Sequence, residues 1–229
     1  MSSRTLYQVR DLCKRYQAPG ETIQVLKGID LDVLQGESLA IMGASGSGKT
    51  TLLHLLGTLD TPSDGKIEFN GRDITSLDAT ARASIRNSEI GFVFQLHHLL
   101  PEFNTLENVA MPGLIKGMAR ERALEKAAKS LALVGMEQRE RHSVTTLSGG
   151  ERQRASIARA IFMEPRVLLA DEPTGSLDEK TGRLVGDLML SLNSDFNMTL
   201  IVVTHNGELA RNMGRRLELI SGELHAHPL

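Results

Sequence analysis

The segment that most constrains the fold of this chain is a glycine-rich turn between an apolar run and an apolar helix pattern. Residues 39–42 read LAIM, which suits a short strand buried on both faces of a parallel sheet. The turn fits the phosphate-loop pattern G-x-x-x-x-G-K-[ST] and consists of Gly43, Ala44, Ser45, Gly46, Ser47, Gly48, Lys49 and Thr50. Because a predicted strand precedes it and a predicted helix follows it, the motif indicates a phosphate-binding loop rather than a flexible Gly-Ser turn.

The chemistry of this loop predicts a bound nucleoside triphosphate. Glycines let successive backbone N–H groups turn towards phosphate oxygens, and the positive end of the following helix strengthens the field there. Lys49 supplies a cation for the β- and γ-phosphates, and Thr50 supplies a hydroxyl for Mg²⁺. The predicted ligands are therefore ATP and Mg²⁺, and Thr51 belongs to the same nucleotide-contacting set.

Composition is typical of one globular domain over residues 1–229. Hydrophobic residues make up 41% of the chain and charged residues 24%, so disorder is not expected. The formal net charge is only −2, which gives no general attraction for nucleic acid. Cys13 is the single cysteine, which excludes an intramolecular disulfide. No run approaches the roughly 18 apolar residues of a membrane helix, so any membrane role is expected to come through a partner.

Strand patterns outside the phosphate loop predict an antiparallel layer beside a parallel core, within an α/β fold. Residues 6–16 have an extended pattern, and a strong hairpin signal stands at Asn70-Gly71. Apolar residues that alternate with polar ones mark two further strands, with Ile29, Leu31 and Val33 in one and Ile67 and Phe69 in the other. Tyr16 lies in this layer, and ordinary strand packing explains it as well as a binding role does.

A helical insert, roughly residues 96–160, is predicted between two strands of the parallel sheet. The apolar strand 90–94 stops at Gln95, which could meet a metal-bound water or simply cap the strand. Residues 96–112 contain two prolines and are expected to be a loop broken by short helices, whereas residues 120–134 form an amphipathic helix pattern. His97 and His98 are adjacent and lack a third ligand at suitable spacing, which disfavours a zinc site.

Two later segments add polar residues to the phosphate loop. The sequence LSGGE, residues 147–151, opens a basic amphipathic helix, and Ser148 there is either an anion contact or a plain helix cap. The apolar strand 167–170 then delivers Asp171 and Glu172, two adjacent acids that are costly unless a cation is present. We expect Asp171 to hold Mg²⁺ and Glu172 to polarise the attacking water. A fourth apolar strand, 200–204, ends at His205, so four strands deliver phosphate-competent residues to one edge.

This combination resembles the nucleotide-binding subunit of ABC transporters over nearly the whole chain. GASGSGKT is similar to the Walker A loop of that family, Gln95 to its Q-loop, LSGGE to its signature, VLLADE to Walker B, SLD at 176–178 to its D-loop, and His205 to its switch histidine. The resemblance implies the P-loop ABC ATPase fold, with Gln95 and His205 catalytic beside Lys49 and Glu172, and Gln95 also at the metal. It further implies that four residues contact nucleotide, namely Ser148, Gly149, Gly150 and Asp178, and that Tyr16 stacks on adenine.

The resemblance also implies partners. In the family two ATPase subunits pair head to tail, so that Ser148 and Gly150 of one chain would cover the γ-phosphate held by Lys49 of the other. The pair drives integral membrane permease subunits, and no nucleic acid is involved. The stretches LLHLLGTLDTPSDG and FQLHHLLPEFNTLENVAMP are most similar to ATPases that power lipoprotein release from the bacterial inner membrane, which implies a peripheral position on its cytoplasmic face.

Several alternatives remain at this level. ATPases of MacB-type exporters are close, and a cell-division complex that regulates wall remodelling is another family member. A soluble ABC protein of translation or repair would usually be longer, and a P-loop kinase would not need LSGGE. The neighbouring residues Leu99, Leu100 and Phe103 either fill the core or line a groove for a permease helix. Asn206 follows the histidine where the family commonly has an acid, which leaves its bonding open.

Overall fold

A computed structural model describes residues 4–226, which form ten strands and seven α-helices. The strands are β1 (Thr5–Ala18), β2 (Glu21–Leu34), β3 (Ser38–Met42), β4 (Asp64–Phe69), β5 (Arg72–Asp73), β6 (Ile90–Val93), β7 (Val167–Asp171), β8 (Thr199–Val203), β9 (Arg215–Ile220) and β10 (Glu223–Ala226). The helices are α1 (Lys49–Leu56), α2 (Ala79–Ser88), α3 (Thr105–Ile115), α4 (Arg120–Leu133), α5 (Gly149–Ile161), α6 (Glu179–Phe196) and α7 (Gly207–Arg211). Within residues 4–226, none of these helices has both the length and the apolar character that a membrane crossing requires.

The strands form two sheets, which confirms the predicted α/β class with its antiparallel layer. Four strands pair antiparallel in the order β2-β1-β4-β5. The second sheet has the order β10-β9-β3-β8-β7-β6 and is parallel except at its β10 edge. Since β3 pairs on both sides, the strand that leads into the phosphate loop lies inside the sheet, as its apolar sequence predicts.

Successive side chains of β3 point to opposite faces of the sheet and so pack into two different hydrophobic cores. Leu39 and Ile41 face the core shared with the antiparallel sheet and α1, whereas Ala40 faces the core built with the helices on the other side. All three side chains are fully buried. Because both faces of the strand are packed, the loop that follows β3 starts from a rigid position.

The expectation of a broken loop at residues 96–112 is wrong in its second half. Helix α3 is 11 residues long and continues through Pro112. Asn104 and Glu107 form a capping box, in which Asn104 Oδ1 accepts from Glu107 N at 2.9 Å and Glu107 Oε2 accepts from Asn104 N at 3.2 Å. Val109 and Ala110 are fully buried. An interior proline costs about 3 kcal/mol, and the cap and this packing offset that cost.

The hairpin formed by β9 and β10 is absent from the sequence-based expectations. Leu217 and Leu219 alternate with polar residues and are buried, and the turn between the strands is Ser221-Gly222, both with positive φ. This pattern is the usual signal of a hairpin. The pairing of β9 with β3 completes the sheet on the side away from β8.

Candidate functional site

A cleft of about 800 Å³ lies where β3, β6, β7 and β8 deliver their carboxyl ends. The cleft is lined by Val25 of β2, by Ser45, Gly46, Gly48, Lys49, Thr50 and Thr51 of the phosphate loop and the start of α1, and by Gln95, Asp171, Glu172 and His205 at or just after the ends of the other strands. The structure therefore brings residues of separate sequence motifs, from the phosphate loop to His205, into one cleft. Ligands of open α/β sheets bind at this edge.

The phosphate loop has a backbone that only glycine fits at two positions. Gly43 has φ 152° and Gly48 has φ 105°, and a Cβ on Gly43 would lie 2.4 Å from the carbonyl oxygen of Leu219. Lys49 is only 8% exposed, and its Nζ donates to the carbonyl oxygens of Gly43 at 2.8 Å and Ala44 at 3.0 Å. Ser47 Oγ is buried without a hydrogen-bond partner in the described chain. A phosphate oxygen would satisfy that hydroxyl, which fits a loop built around an anion.

The residues predicted to hold Mg²⁺ supply oxygen atoms of the required kind. Thr50 Oγ1 donates to Asp171 Oδ1 at 3.2 Å, and Gln95 lines the same cleft. Burial raises the pKa of Asp171 above its usual value, the cost expected of a partly buried carboxylate without a full counter-charge. Hydroxyl, carboxylate and amide oxygens are the ligands that Mg²⁺ takes in proteins, so this set fits the ion.

Glu172 is held by the end of β8. Its carboxylate accepts from Thr204 Oγ1 at 3.0 Å and from the backbone N–H of His205 at 3.1 Å. The Nδ1 atom of His205 lies 2.9 Å from Glu172 Oε1. The Glu172 side chain is 13% exposed whereas that of His205 is 70% exposed, so the carboxylate is fixed and the imidazole faces the open cleft. Glu172 also has φ 44°, a strained conformation that clusters at functional sites.

Asn206 has a local role that the sequence left open. Its side-chain oxygen accepts from the backbone N–H groups of Glu208 and Leu209 and so caps α7. Its Nδ2 atom donates to Thr174 Oγ1 at 3.4 Å. Both ends of the amide are therefore engaged away from the imidazole of His205.

Tyr16 lies beside the cleft and is not part of its lining. Its hydroxyl donates to Asp60 Oδ2 at 2.8 Å, and its ring lies beneath Lys14 Nζ at 4.7 Å from the ring centroid. Burial, together with the neighbouring carboxylate of Asp60, raises the pKa of Tyr16.

The structure does not bring the signature residues to the cleft of their own chain. Ser148 is exposed and forms the N-cap of α5 in a capping box with Glu151. Gly149 follows it, and Gly150 is so close to α6 that a Cβ would lie 2.5 Å from Thr181 Cγ2. Asp178 caps α6, and its hydrogen bonds with Thr181 lower its pKa. None of Ser148, Gly149, Gly150 and Asp178 lines the cleft that contains Lys49.

Two residues of the site belong to none of the sequence motifs and were not predicted. Val25 lines the cleft, and its carbonyl oxygen would lie 3.1 Å from a Cβ on Gly48. Thr204 supplies the hydroxyl that binds Glu172. Thr204 stands between a buried strand and His205, and that position is the only signal for it in the sequence.

Known proteins resemble this chain both in sequence and in fold. Residues 26–175 match the family model described as ABC transporter. The chain is 60% identical over 220 residues to the lipoprotein-releasing system ATP-binding protein LolD of Oleidesulfovibrio alaskensis, covering 96% of this chain and 95% of that protein. It is also 60% identical over 223 residues to LolD of Nitratidesulfovibrio vulgaris, covering 97% and 96%.

Solved structures match with the same coverage. The dimeric structure of MJ0796, a bacterial ABC transporter cassette, superposes with a TM-score of 0.89 at 38% identity, covering 96% of each chain. A dimeric post-hydrolysis state of the same cassette, bound to ADP and Pi, also has a TM-score of 0.89, at 36% identity, and covers 98% of this chain and 100% of that one.

Proposed function

The chain belongs to the ABC transporter family, and from that premise we propose that it is the ATP-hydrolysing subunit that powers lipoprotein release from the bacterial inner membrane towards the outer membrane. The observation that carries the ATPase activity is the convergence of Lys49, Asp171, Glu172 and His205 in one cleft. Similarity to proteins named for lipoprotein release supports the substrate class over a MacB-type exporter or a cell-division complex.

Hydrolysis in this cleft would proceed by attack of water on the γ-phosphate of ATP. Lys49 would leave its loop carbonyls to contact the β- and γ-phosphates. Glu172 would orient the water and accept its proton as the bond between the γ-phosphorus and the bridging oxygen breaks, leaving ADP and phosphate. His205, beside Glu172, would donate to a γ-phosphate oxygen. Bound Mg²⁺, on Thr50, Gln95 and Asp171, would neutralise phosphate charge.

A complete site would need two copies of the chain. Ser148 and Gly150 stand at the N-terminus of α5, where backbone N–H groups favour anions, yet they lie outside the cleft of their own chain. In a head-to-tail homodimer they would close the partner's cleft over the γ-phosphate, with Gly149 and Asp178 nearby. The solved dimers of a similar cassette support this arrangement.

Membrane contact would come through integral permease subunits of the LolC/LolE kind. Such a subunit would lie on the cytoplasmic face of the inner membrane as a peripheral protein. A direct test is reconstitution of the purified chain with its permease and a lipoprotein in vesicles. ATP-dependent transfer of lipoprotein to a soluble acceptor would support the proposal. ATP hydrolysis without any lipoprotein release would leave the ATPase standing and reject the substrate class.

The segment that follows Gln95 is the proposed contact with the permease. Leu96 is 71% exposed, Leu100 is 40% exposed and Phe103 is 37% exposed, whereas Leu99 packs against the core. A hollow of about 350 Å³ is lined by Leu96, His97, His98, Leu99 and Pro101 of this segment, together with Val144, Thr145 and Arg152. Leu100 and Phe103 lie outside this lining, on the exposed surface of the same segment. A short amphipathic helix binds apolar grooves of this kind.

Arg159 of α5 ties this segment to the helix that begins with the signature. Its guanidinium donates to the carbonyl oxygens of His97 at 2.7 Å and His98 at 2.6 Å, and burial lowers its pKa. A displacement at Gln95 would therefore reach both the permease groove and α5. These hydrogen bonds supply a physical path for coupling hydrolysis to the membrane subunits.

Charged substitution at the exposed apolar positions should uncouple the ATPase. We expect Leu100→Asp or Phe103→Asp to abolish co-purification with the permease and lipoprotein release while the isolated subunit still folds and binds ATP. Folding should survive because Asn108 fixes the segment through the backbone of Leu100 and Phe103. Leu184→Asp, at a 56% exposed position on α6, is the matched control.

Three measurements separate the outcomes of that experiment. They are thermal melting of the isolated variant, co-purification with the permease, and lipoprotein release from vesicles. A large decrease in melting temperature would mean that Leu100 and Phe103 stabilise the hydrophobic core instead of binding the permease. Normal assembly with normal release would place the coupling surface elsewhere on the subunit.

A further inference from the structure

Lys14 is a nearly buried cation beside Tyr16. The two residues stand two positions apart on β1, and Lys14 Nζ lies 4.7 Å from the centroid of the Tyr16 ring. Lys14 is 8% exposed, and its Nζ atom donates to Asp60 Oδ1 and to the carbonyl oxygen of Thr61, both at 2.7 Å. Lysine is rarely buried this far without a partner, so the site has been built around its charge.

Asp60 joins that cation to the tyrosine. One carboxylate oxygen accepts from Lys14 and from the backbone N–H of Thr61, and the other accepts from the Tyr16 hydroxyl at 2.8 Å. The backbone N–H of Asp60 donates to the carbonyl oxygen of His54, at the end of α1. Burial alone would raise the pKa of Asp60, but the hydrogen bonds from Lys14 and Tyr16 outweigh it and lower that pKa.

The tyrosine ring is thus fixed at its edge and on one face. The carboxylate of Asp60 holds the hydroxyl, and the ammonium of Lys14 covers one face through a cation–π contact. A planar group must therefore stack on the opposite face, and Tyr16 remains 40% exposed. Holding a side chain in its binding rotamer reduces the entropy that binding has to remove.

We propose that Lys14 and Asp60 are positioning residues that hold the Tyr16 ring as a stacking platform for the nucleotide base. The inference rests on the proposed function, in which Tyr16 contacts adenine. Stacking on an aromatic ring tolerates any base, because every base has a π-face. Since the Tyr16 ring would contact the base alone, loss of Lys14 or Asp60 should weaken binding of the base and leave binding of the phosphates unchanged.

The test compares ATP with inorganic tripolyphosphate, which carries the phosphates and no base. We expect Tyr16→Ala to weaken ATP binding by about 5- to 150-fold, the equivalent of ~1–3 kcal/mol of stacking. Lys14→Met and Asp60→Asn should each weaken ATP binding by about 3- to 10-fold, since they retain the ring and lose only its positioning. Affinity for tripolyphosphate, measured by calorimetry with Mg²⁺, should stay within about 2-fold for all three.

The pair of variants separates lost positioning from a long-range electrostatic effect. Lys14→Met removes a positive charge and Asp60→Asn removes a negative one, so a long-range effect would shift ATP affinity in opposite directions, whereas lost positioning weakens it in both. Arg15→Met is the matched control, because Arg15 is an exposed cation next to Tyr16 whose hydrogen bonds to Ser63 are backbone ones. It should bind both ligands as the unmodified chain does.

Each remaining outcome overturns the proposal in a recognisable way. Equal weakening of ATP and tripolyphosphate would mean that Lys14 and Asp60 merely support the fold next to the phosphate loop. Normal ATP binding by Lys14→Met and Asp60→Asn, with Tyr16→Ala weakened, would remove the positioning role and retain the platform. Normal ATP binding by Tyr16→Ala would remove the platform itself, while ATP hydrolysis by that variant would show that the proposed ATPase function still stands.

Discussion

Replacement of Glu172 by Gln is expected to leave ATP binding intact and to slow hydrolysis by about 10²–10⁴-fold, the usual contribution of a general base. The amide oxygen can take the place of Oε2, which accepts from Thr204 Oγ1 at 3.0 Å and from the backbone N–H of His205 at 3.3 Å, so the local structure should survive. It cannot accept the proton of the attacking water at neutral pH. The loss therefore falls on the chemical step rather than on binding.

Single-turnover hydrolysis and equilibrium ATP binding, measured on the same preparation, test this prediction. Glu179→Gln is the matched control, because Glu179 is an exposed carboxylate on α6. Its replacement should change neither ATP binding nor hydrolysis. Lys49→Ala should behave differently, with weaker nucleotide binding, because it removes a phosphate cation. Unchanged turnover in Glu172→Gln would remove Glu172 from the role of base.

Local patterns explain why much of this site is predictable from the sequence. Gly43 to Thr50 require particular backbone angles and a particular spacing, so the residues themselves record the shape of the loop. Asp171 and Glu172 stand directly after a buried strand, where two acids need a cation or a catalytic role to be tolerated. Such features depend on neighbours within a few positions.

Contacts between distant residues explain what the sequence does not predict. The partner of Glu172 is Thr204, 32 positions away, and the partner of Tyr16 is Asp60, 44 positions away. Neither contact can be read from a local sequence pattern, because the order of the strands in the sheet and the packing of α1 bring the two partners together. Helix propensity alone would end α3 at Pro112. The helix continues because burial of its side chains outweighs the free-energy cost of an interior proline.

Addition of Ser148→Arg to Glu172→Gln should prevent the ATP-dependent dimer that Glu172→Gln alone accumulates. With hydrolysis blocked, ATP should shift the chain from monomer to dimer by mass action. Arginine at an exposed helix N-terminus loses the cap, which costs about 0.5–2 kcal/mol, so the chain should stay folded. Its bulk would occupy the space of the γ-phosphate in the partner's cleft and weaken dimerisation by about 100-fold or more.

Light scattering with and without ATP measures that shift. Ser143→Arg is the charge-matched control, because Ser143 is likewise exposed and caps the short 3₁₀ turn Val144–Thr146. It should dimerise as Glu172→Gln does. A monomer under all conditions in Glu172→Gln, at concentrations well above the working range, would count against the head-to-tail pair.

A mixing experiment in the background of native Glu172 distinguishes a shared site from a self-contained one. Ser148→Arg alone and Lys49→Ala alone should both hydrolyse ATP poorly, because each damages both sites of its own homodimer. In a mixed dimer, Lys49 of the first variant would meet Ser148 of the second, so one site would be intact and the other would carry both defects. Activity of the mixture above the sum of the two variants is therefore expected only if the residues act across the interface. Activity equal to that sum would mean that Ser148 serves its own chain or serves only as a helix cap.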